Sequence, residues 1–248
     1  VNEPKDNAGT FDLSARFALT FQKLKDHFVK WEGNYPYMYL DSRGIVTVGI
    51  GHALAKKGNA QSLPFERIGI DATWEEIGQA FDEISKESQS QKAAPKKAER
   101  FADKTSLNLV QDSIDSILYG DYLKSLNHLL IVFPDFSNFP FQAQLALLDM
   151  NFNLGDGGFN GYKDLISAVK NKHWDIAALE CHRGGVSAER NVETARQFFD
   201  THEDKFWHGA IADWRDSMLL ENAKIADSFK VPPSPTSLKL PHRVKGKR

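Results

Sequence analysis

The clearest periodicity runs from residue 15 to 32, where Phe17, Phe21, Leu24, Phe28 and Trp31 recur at three- and four-residue intervals. Lys23, Lys25, Asp26 and Lys30 fall between them. That spacing gathers apolar side chains on one face of a helix. Gly33 and Pro36 follow and predict its end. The pattern then changes. From Met38 to Ile50, β-forming residues flank the turn sequence Asp41-Ser42-Arg43-Gly44, which predicts a small antiparallel sheet. Gly49, Gly51 and Gly58 add close backbone approach and loop freedom to that region.

Beyond Asp71 the signals are helical. Thr73 with Glu76 three residues later reads as a capping box at a helix start. Helices are predicted over 107–130, 140–154, 164–169, 174–181 and 187–199, the second apolar enough to be central. Residues 85–106 are mostly polar and carry Pro95, which predicts a flexible insertion or helix break. Residues 1–14 read as a linker or arm, and 15–227 as one catalytic domain. After Asp227 no acidic residue occurs, while six Lys or Arg and four prolines follow, so 228–248 reads as a basic, extended tail.

Composition narrows the classes. Charged residues make up 26 % and the formal net charge is −2, so no strong field draws the chain to nucleic acid. No apolar run approaches the roughly 20 residues that span a bilayer, and the N-terminus lacks the pattern of a signal peptide. The start at valine suggests a piece of a longer protein. Cys181 is the single cysteine, which excludes an internal disulfide; it reads as a small core residue. The histidines show no metal-ligand spacing, so neither a metal nor a cofactor is expected.

The candidate chemistry lies in Glu32, Asp41 and Thr47, at spacings of nine and six residues. Glu32 closes the first helix, where unpaired carbonyls and the macrodipole disfavour a negative charge. Trp31, Tyr35, Tyr37 and Tyr39 surround it with aromatic sequence. Both effects favour a protonated carboxyl, which a glycosidic leaving group needs. Asp41 opens a polar turn and Thr47 follows on the return strand, so the pair can hold a water or offset charge on an oxocarbenium-like sugar. Each residue alone also fits a plainer reading: a solvated helix end and a turn aspartate.

The block around them resembles the signature of phage T4-type lysozymes, the glycoside hydrolase family 24 endolysins. The resemblance rests on Glu32-Gly33, Tyr39-Leu40-Asp41, Gly44 and Thr47-Val48-Gly49-Ile50-Gly51-His52. Three later blocks are similar in the same order: Ala146 to Gly155, Lys172 to Leu179 and Ser187 to Asn191. The resemblance covers about residues 20–200, and departs from the family at 91–107, at 181–186 and beyond 200.

It implies a lysozyme-like α+β fold: a small sheet-containing N-terminal lobe and a larger helical C-terminal lobe, joined by a long helix. It implies hydrolysis of the β-1,4 bond between N-acetylmuramic acid and N-acetylglucosamine in peptidoglycan, with Glu32 as acid and Asp41 and Thr47 holding water. Arg190 is implied to approach Glu32, and Phe152 and Asn153 to touch the glycan. Arg190 equally fits a helix-surface arginine, and Phe152 a core aromatic. His52 fits a structural hydrogen bond better than catalysis.

A phage endolysin or an antibacterial effector domain fits the whole, as a monomer acting in the bacterial periplasm or cell wall. Delivery by holin-type release, by a secretion system or within a larger protein is then expected, and an immunity protein or carrier domain is a possible partner. The tail could attract an anionic surface or be a plain terminus. A non-catalytic peptidoglycan-binding module and a lytic transglycosylase are the competing readings.

Overall fold

A computed structural model describes residues 13–202, with side chains placed from 21 to 201. It is an α+β chain: helices dominate, and five short strands form a three-stranded and a two-stranded sheet. It divides into two compact units. Among the described residues, one takes 13–33 and 118–202; the other takes 34–117. The expected arm over 1–14 lies outside the described residues except for its last two, which already belong to the first helix. The expected tail over 228–248 also lies outside them.

The first helix, α1 (Leu13–Glu32), belongs to the helical unit. Phe21, Leu24 and Phe28 are buried, as their spacing requires. The helix ends where Gly33 adopts φ 75° and its N–H donates to the carbonyl of Val29 at 3.0 Å. A left-handed residue after the last turn satisfies a carbonyl that the helix leaves open.

The second unit holds every described strand. β1 (Tyr35–Leu40), β2 (Val46–Gly49) and β3 (His52–Ala53) form an antiparallel sheet in that order. Tyr39 pairs with Thr47 and Leu40 with Val46. Gly49 lies where an added Cβ would meet Ile114 at 3.2 Å, which accounts for a close approach there. Gly58 differs from expectation: it sits in the short helix α2 (Lys57–Gln61), and nothing lies within 4 Å of a Cβ at that position. β4 (Glu66–Arg67) and β5 (Ile70–Asp71) make a separate hairpin. The helix α3 (Trp74–Ser85) carries the expected capping box: Glu76 N–H donates to Thr73 Oγ1 at 3.2 Å and Thr73 N–H donates to Glu76 Oε2 at 2.9 Å.

The stretch expected as a flexible insertion or helix break is folded, and helices do end within it, at Ser85 and at Ala93 before Pro95. It forms α4 (Ser88–Ala93) and a 3-10 turn at Ala98–Phe101. Its polar composition misleads because one polar side chain is the anchor. Gln91 is buried, donates to the carbonyls of Leu40 and Lys96, and accepts from the Lys96 N–H. Such a fully satisfied amide replaces the apolar residue a packed segment would otherwise need.

The next helix, α5 (Gln111–Val132), starts later than its apolar spacing predicts. Leu107 and Leu109 are buried in extended chain instead, where Asn108 bridges to Glu66 and the Leu109 N–H donates to the carbonyl of Pro36. That non-local pairing overrides the helical pattern. α5 begins in the sheet-bearing unit and ends in the helical one.

The helical unit is completed by α6 (Phe141–Phe159), α7 (Lys163–Lys170), α8 (Trp174–Glu180) and α9 (Ala188–Phe199). α6 is largely buried along its first three turns and breaks at Gly155, whose φ of 67° is not helical. Trp174 stacks on Phe198 and meets Phe139 edge-on. Ser187 caps α9 by accepting from the Arg190 N–H at 3.2 Å, which fixes where Arg190 leaves the helix. No described helix is long and apolar enough to cross a membrane.

Candidate functional site

In the helical unit the last residue of α1, Glu32, meets Arg190 from the first turn of α9. Arg190 Nη1 lies 2.7 Å from Glu32 Oε1. The contact is an ion pair off the axis of the guanidinium N–H bonds, and Glu32 Oε1 has no directed hydrogen bond. The Glu32 side chain keeps 21 % of its surface exposed, whereas Arg190 keeps 6 %. Arg190 also lies 5.9 Å from the centre of the Trp31 ring, which shields the pair on one side.

Behind Arg190 stands Asp149 of α6, whose side chain has no exposed surface. Arg190 Nη2 donates to Asp149 Oδ1 at 2.8 Å and Nε donates to Oδ2 at 3.3 Å. A second, fully buried arginine, Arg183, donates from Nη2 to Asp149 Oδ2 at 2.7 Å and to Thr194 Oγ1 at 2.7 Å. Asn191 holds the backbone of Arg183 on both sides, accepting from its N–H and donating to its carbonyl, each at 2.9 Å. His27 of α1 places Nε2 3.3 Å from Asp149 Oδ1 and Nδ1 3.7 Å from Glu193 Oε1. Lys30 pairs with Glu193 in turn.

Burial by itself would raise the Asp149 carboxyl, but the His27 contact and the two arginines hold it well below the usual carboxylate range. Arg190 is raised from its ordinary value. Burial opposes this, and the Asp149 hydrogen bonds and charge, with Glu32 beside them, prevail.

In the sheet-bearing unit Asp41 and Thr47 both bond to the backbone of one residue, Ile45. The Ile45 N–H donates to Asp41 Oδ1 at 2.8 Å, and the Ile45 carbonyl accepts from Thr47 Oγ1 at 3.0 Å. Asp41 Oδ1 also accepts from the Arg43 N–H at 2.9 Å, while Oδ2 faces Arg43 Nε at 3.1 Å. The aspartate therefore serves its own turn, the plainer of the two readings, with Oδ2 accepting from Arg43 Nε. Thr47 is buried, and its hydroxyl keeps lone pairs that can accept from a water.

The structure thus places Glu32 with Arg190 in the helical unit and Asp41 with Thr47 on one hairpin. Phe152 packs on Phe28 of α1, ring centres 4.4 Å apart, and is half-buried; Asn153 is half-buried beside it. The Phe152 contact is a packing contact within the unit, as the core reading of that aromatic expects. His52 lies on β3, paired with Val48. An open cavity of about 300 Å³, lined by Tyr162, Lys163, Asp164, Glu180 and His182 among others, holds none of the candidate residues. Among the described residues no group of three or more His, Cys, Asp and Glu is placed to hold a metal ion.

Sequence reasoning did not single out Asp149, Arg183 or His27. One signal was present: Asp149 is the lone charge in the run from Phe141 to Leu154. A charge in a helix that is otherwise buried must have a partner. No protein-family model matches the chain, and no curated protein matches it.

Proposed function

We propose that this chain is a peptidoglycan muramidase of the T4-type lysozyme kind, cutting the β-1,4 bond between N-acetylmuramic acid and N-acetylglucosamine. The Glu32–Arg190 pair carries the reading. The family resemblance asks for an arginine at that later segment to approach the glutamate, and the two lie 2.7 Å apart. Glu32 ends a helix and keeps 21 % of its side chain exposed, its buried Oε1 facing Arg190, so it can meet a sugar oxygen and give it a proton. Asp41 and Thr47, joined through Ile45, supply the carboxylate and hydroxyl that hold the attacking water. Phe152, Asn153 and Arg190 are the proposed glycan contacts.

The same reading makes the bacterial periplasm or cell wall the place of action, with the glycan strand as partner, and an immunity protein where the chain serves as an effector. A lytic transglycosylase is the second reading, favoured by one observation: Asp41 Oδ1 is taken up by backbone N–H groups of its own turn. Mass spectrometry of digested peptidoglycan separates the two. Reducing ends support hydrolysis, anhydro-muramic ends support transglycosylation, and intact strands that still bind the protein support a binding module. Glu32→Gln is expected to stay folded and lose at least about a hundredfold in turnover, the scale of general-acid catalysis. Near wild-type turnover in that variant refutes Glu32 as the acid.

A further inference from the structure

We infer that Asp149 is a positioning residue for Glu32, acting by occupying the double-donor edge of Arg190 so that this arginine cannot clamp the acid. The inference rests on the muramidase reading and concerns how its proton donor is kept available. A guanidinium offers its strongest contact through two parallel N–H bonds to one carboxylate. In this protein that edge, Nε with Nη2, belongs to Asp149, at 3.3 and 2.8 Å. Only Nη1 is left for Glu32, and it arrives without a directed hydrogen bond.

The surroundings bias Arg190 toward Asp149. Asp149 is fully buried, so its charge is felt strongly. Arg183 and His27 approach the same carboxylate, and Thr194 accepts from Arg183 while donating to the Arg190 carbonyl. Glu193 pairs with Lys30 and faces the other ring nitrogen of His27. Glu32 thus faces one cation whose charge is already shared. Take away the Asp149 charge, and two buried guanidinium groups are left with Glu32 as the carboxylate Arg190 can turn to. A pair of directed hydrogen bonds from Arg190 would hold the acid ionised and remove the proton that the leaving sugar needs.

The test is the pH profile of peptidoglycan hydrolysis by the full chain, wild type against Asp149→Asn. Because the acid must be protonated, activity falls on the alkaline limb. That limb is expected to move to lower pH by about one unit in the variant, the usual scale for a neighbouring charge. Turnover near neutrality is expected to fall about tenfold with KM little changed, since the loss lies in proton transfer. If Asp149→Asn does not fold, Asp149→Asn/Arg183→Met removes a buried cation together with the buried anion, and its limb is expected to move the same way. A purely structural role for Asp149 lowers the amount of active protein and leaves the limb in place. An active wild type with superimposed limbs in a folded variant overturns the positioning role alone. A wild type that releases no reducing ends overturns the muramidase reading, and this role with it.

Discussion

Ser88 donates its hydroxyl hydrogen to the carbonyl of Gly44, and its own backbone oxygen lies 2.6 Å from where a side chain at position 44 would begin. Gly44 sits at φ 74° at the end of the hairpin loop, its N–H donating to the Asp41 carbonyl at 2.9 Å. The Asp41 N–H donates to the Ile45 carbonyl, so Asp41 and Ile45 close a three-residue loop whose last member is left-handed. Two requirements therefore fall on one residue: a backbone conformation that L side chains avoid, and no room for a Cβ. Gly44→Ala is expected to cost about 2–3 kcal/mol, read as a lower urea midpoint. Adding Ser88→Gly removes the Oγ clash at 2.7 Å but also the hydroxyl's bond to Gly44, and leaves the backbone oxygen and the left-handed φ, so it is not expected to recover the loss.

The hairpin of β4 and β5 shows the opposite case. Arg67 pairs with Ile70, leaving Ile68 and Gly69 as a two-residue loop with φ of 53° and 74°. Loops of that kind favour Asn-Gly, and a β-branched first residue is strained. Ile68 is 95 % exposed, so packing against the described residues does not offset the strain. Ile68→Asn is expected to stabilise the protein by about 1 kcal/mol, the ordinary cost of a left-handed L residue. The check is a higher urea midpoint with an unchanged slope.

Cys181 is buried, with its Sγ donating to the Ala178 carbonyl at 3.2 Å. Burial pushes its thiol up to about 11, although the Arg183 charge and a hydrogen bond from Cys181's own backbone pull the other way. A thiol that is both protonated and inaccessible does not attack disulfide reagents. Native protein at pH 8 is expected to resist an aromatic disulfide reagent, and labelling is expected to follow the urea unfolding curve. Rapid labelling without denaturant contradicts the burial.

What could be read along the chain was local. The first helix, the hairpin turn at Asp41–Gly44 and the Thr73–Glu76 cap each depend on residues within a few positions of one another, so spacing carries them. The start of α5 and the folding of residues 85–106 depend on distant partners: Pro36 for Leu109, and Leu40 for Gln91. Polarity along the chain cannot distinguish a solvated glutamine from one that satisfies three buried backbone groups. The candidate site divides the same way. Glu32, Asp41 and Thr47 stood out because they share a contiguous block. Asp149 and Arg183 sit 34 positions apart, and only folding brings them together. Trp31 and the tyrosines suggested an aromatic, partly desolvated setting for Glu32, whereas its pairing with Arg190 was expected only through the family resemblance.

The buried cluster around Asp149 also ties stability to pH. Its carboxyl lies well below the usual range in the folded chain, against about 3.9 for an unfolded aspartate. The unfolded chain therefore takes up this proton first as pH falls. The contribution of the Asp149 charge is complete above about pH 5 and shrinks from about pH 4 downward, as the unfolded state gains protons that the folded state refuses. Asp149→Asn removes that charge at every pH and leaves Arg183 buried with only Thr194 and a backbone carbonyl as acceptors. Breaking one side of a buried pair costs about 3–5 kcal/mol. The gap in urea stability between wild type and variant is thus expected to be widest at pH 7 and to narrow at pH 3. The wild type should change across that range and the variant less. A gap of constant width across the range means that Asp149 contributes shape to the cluster without contributing charge.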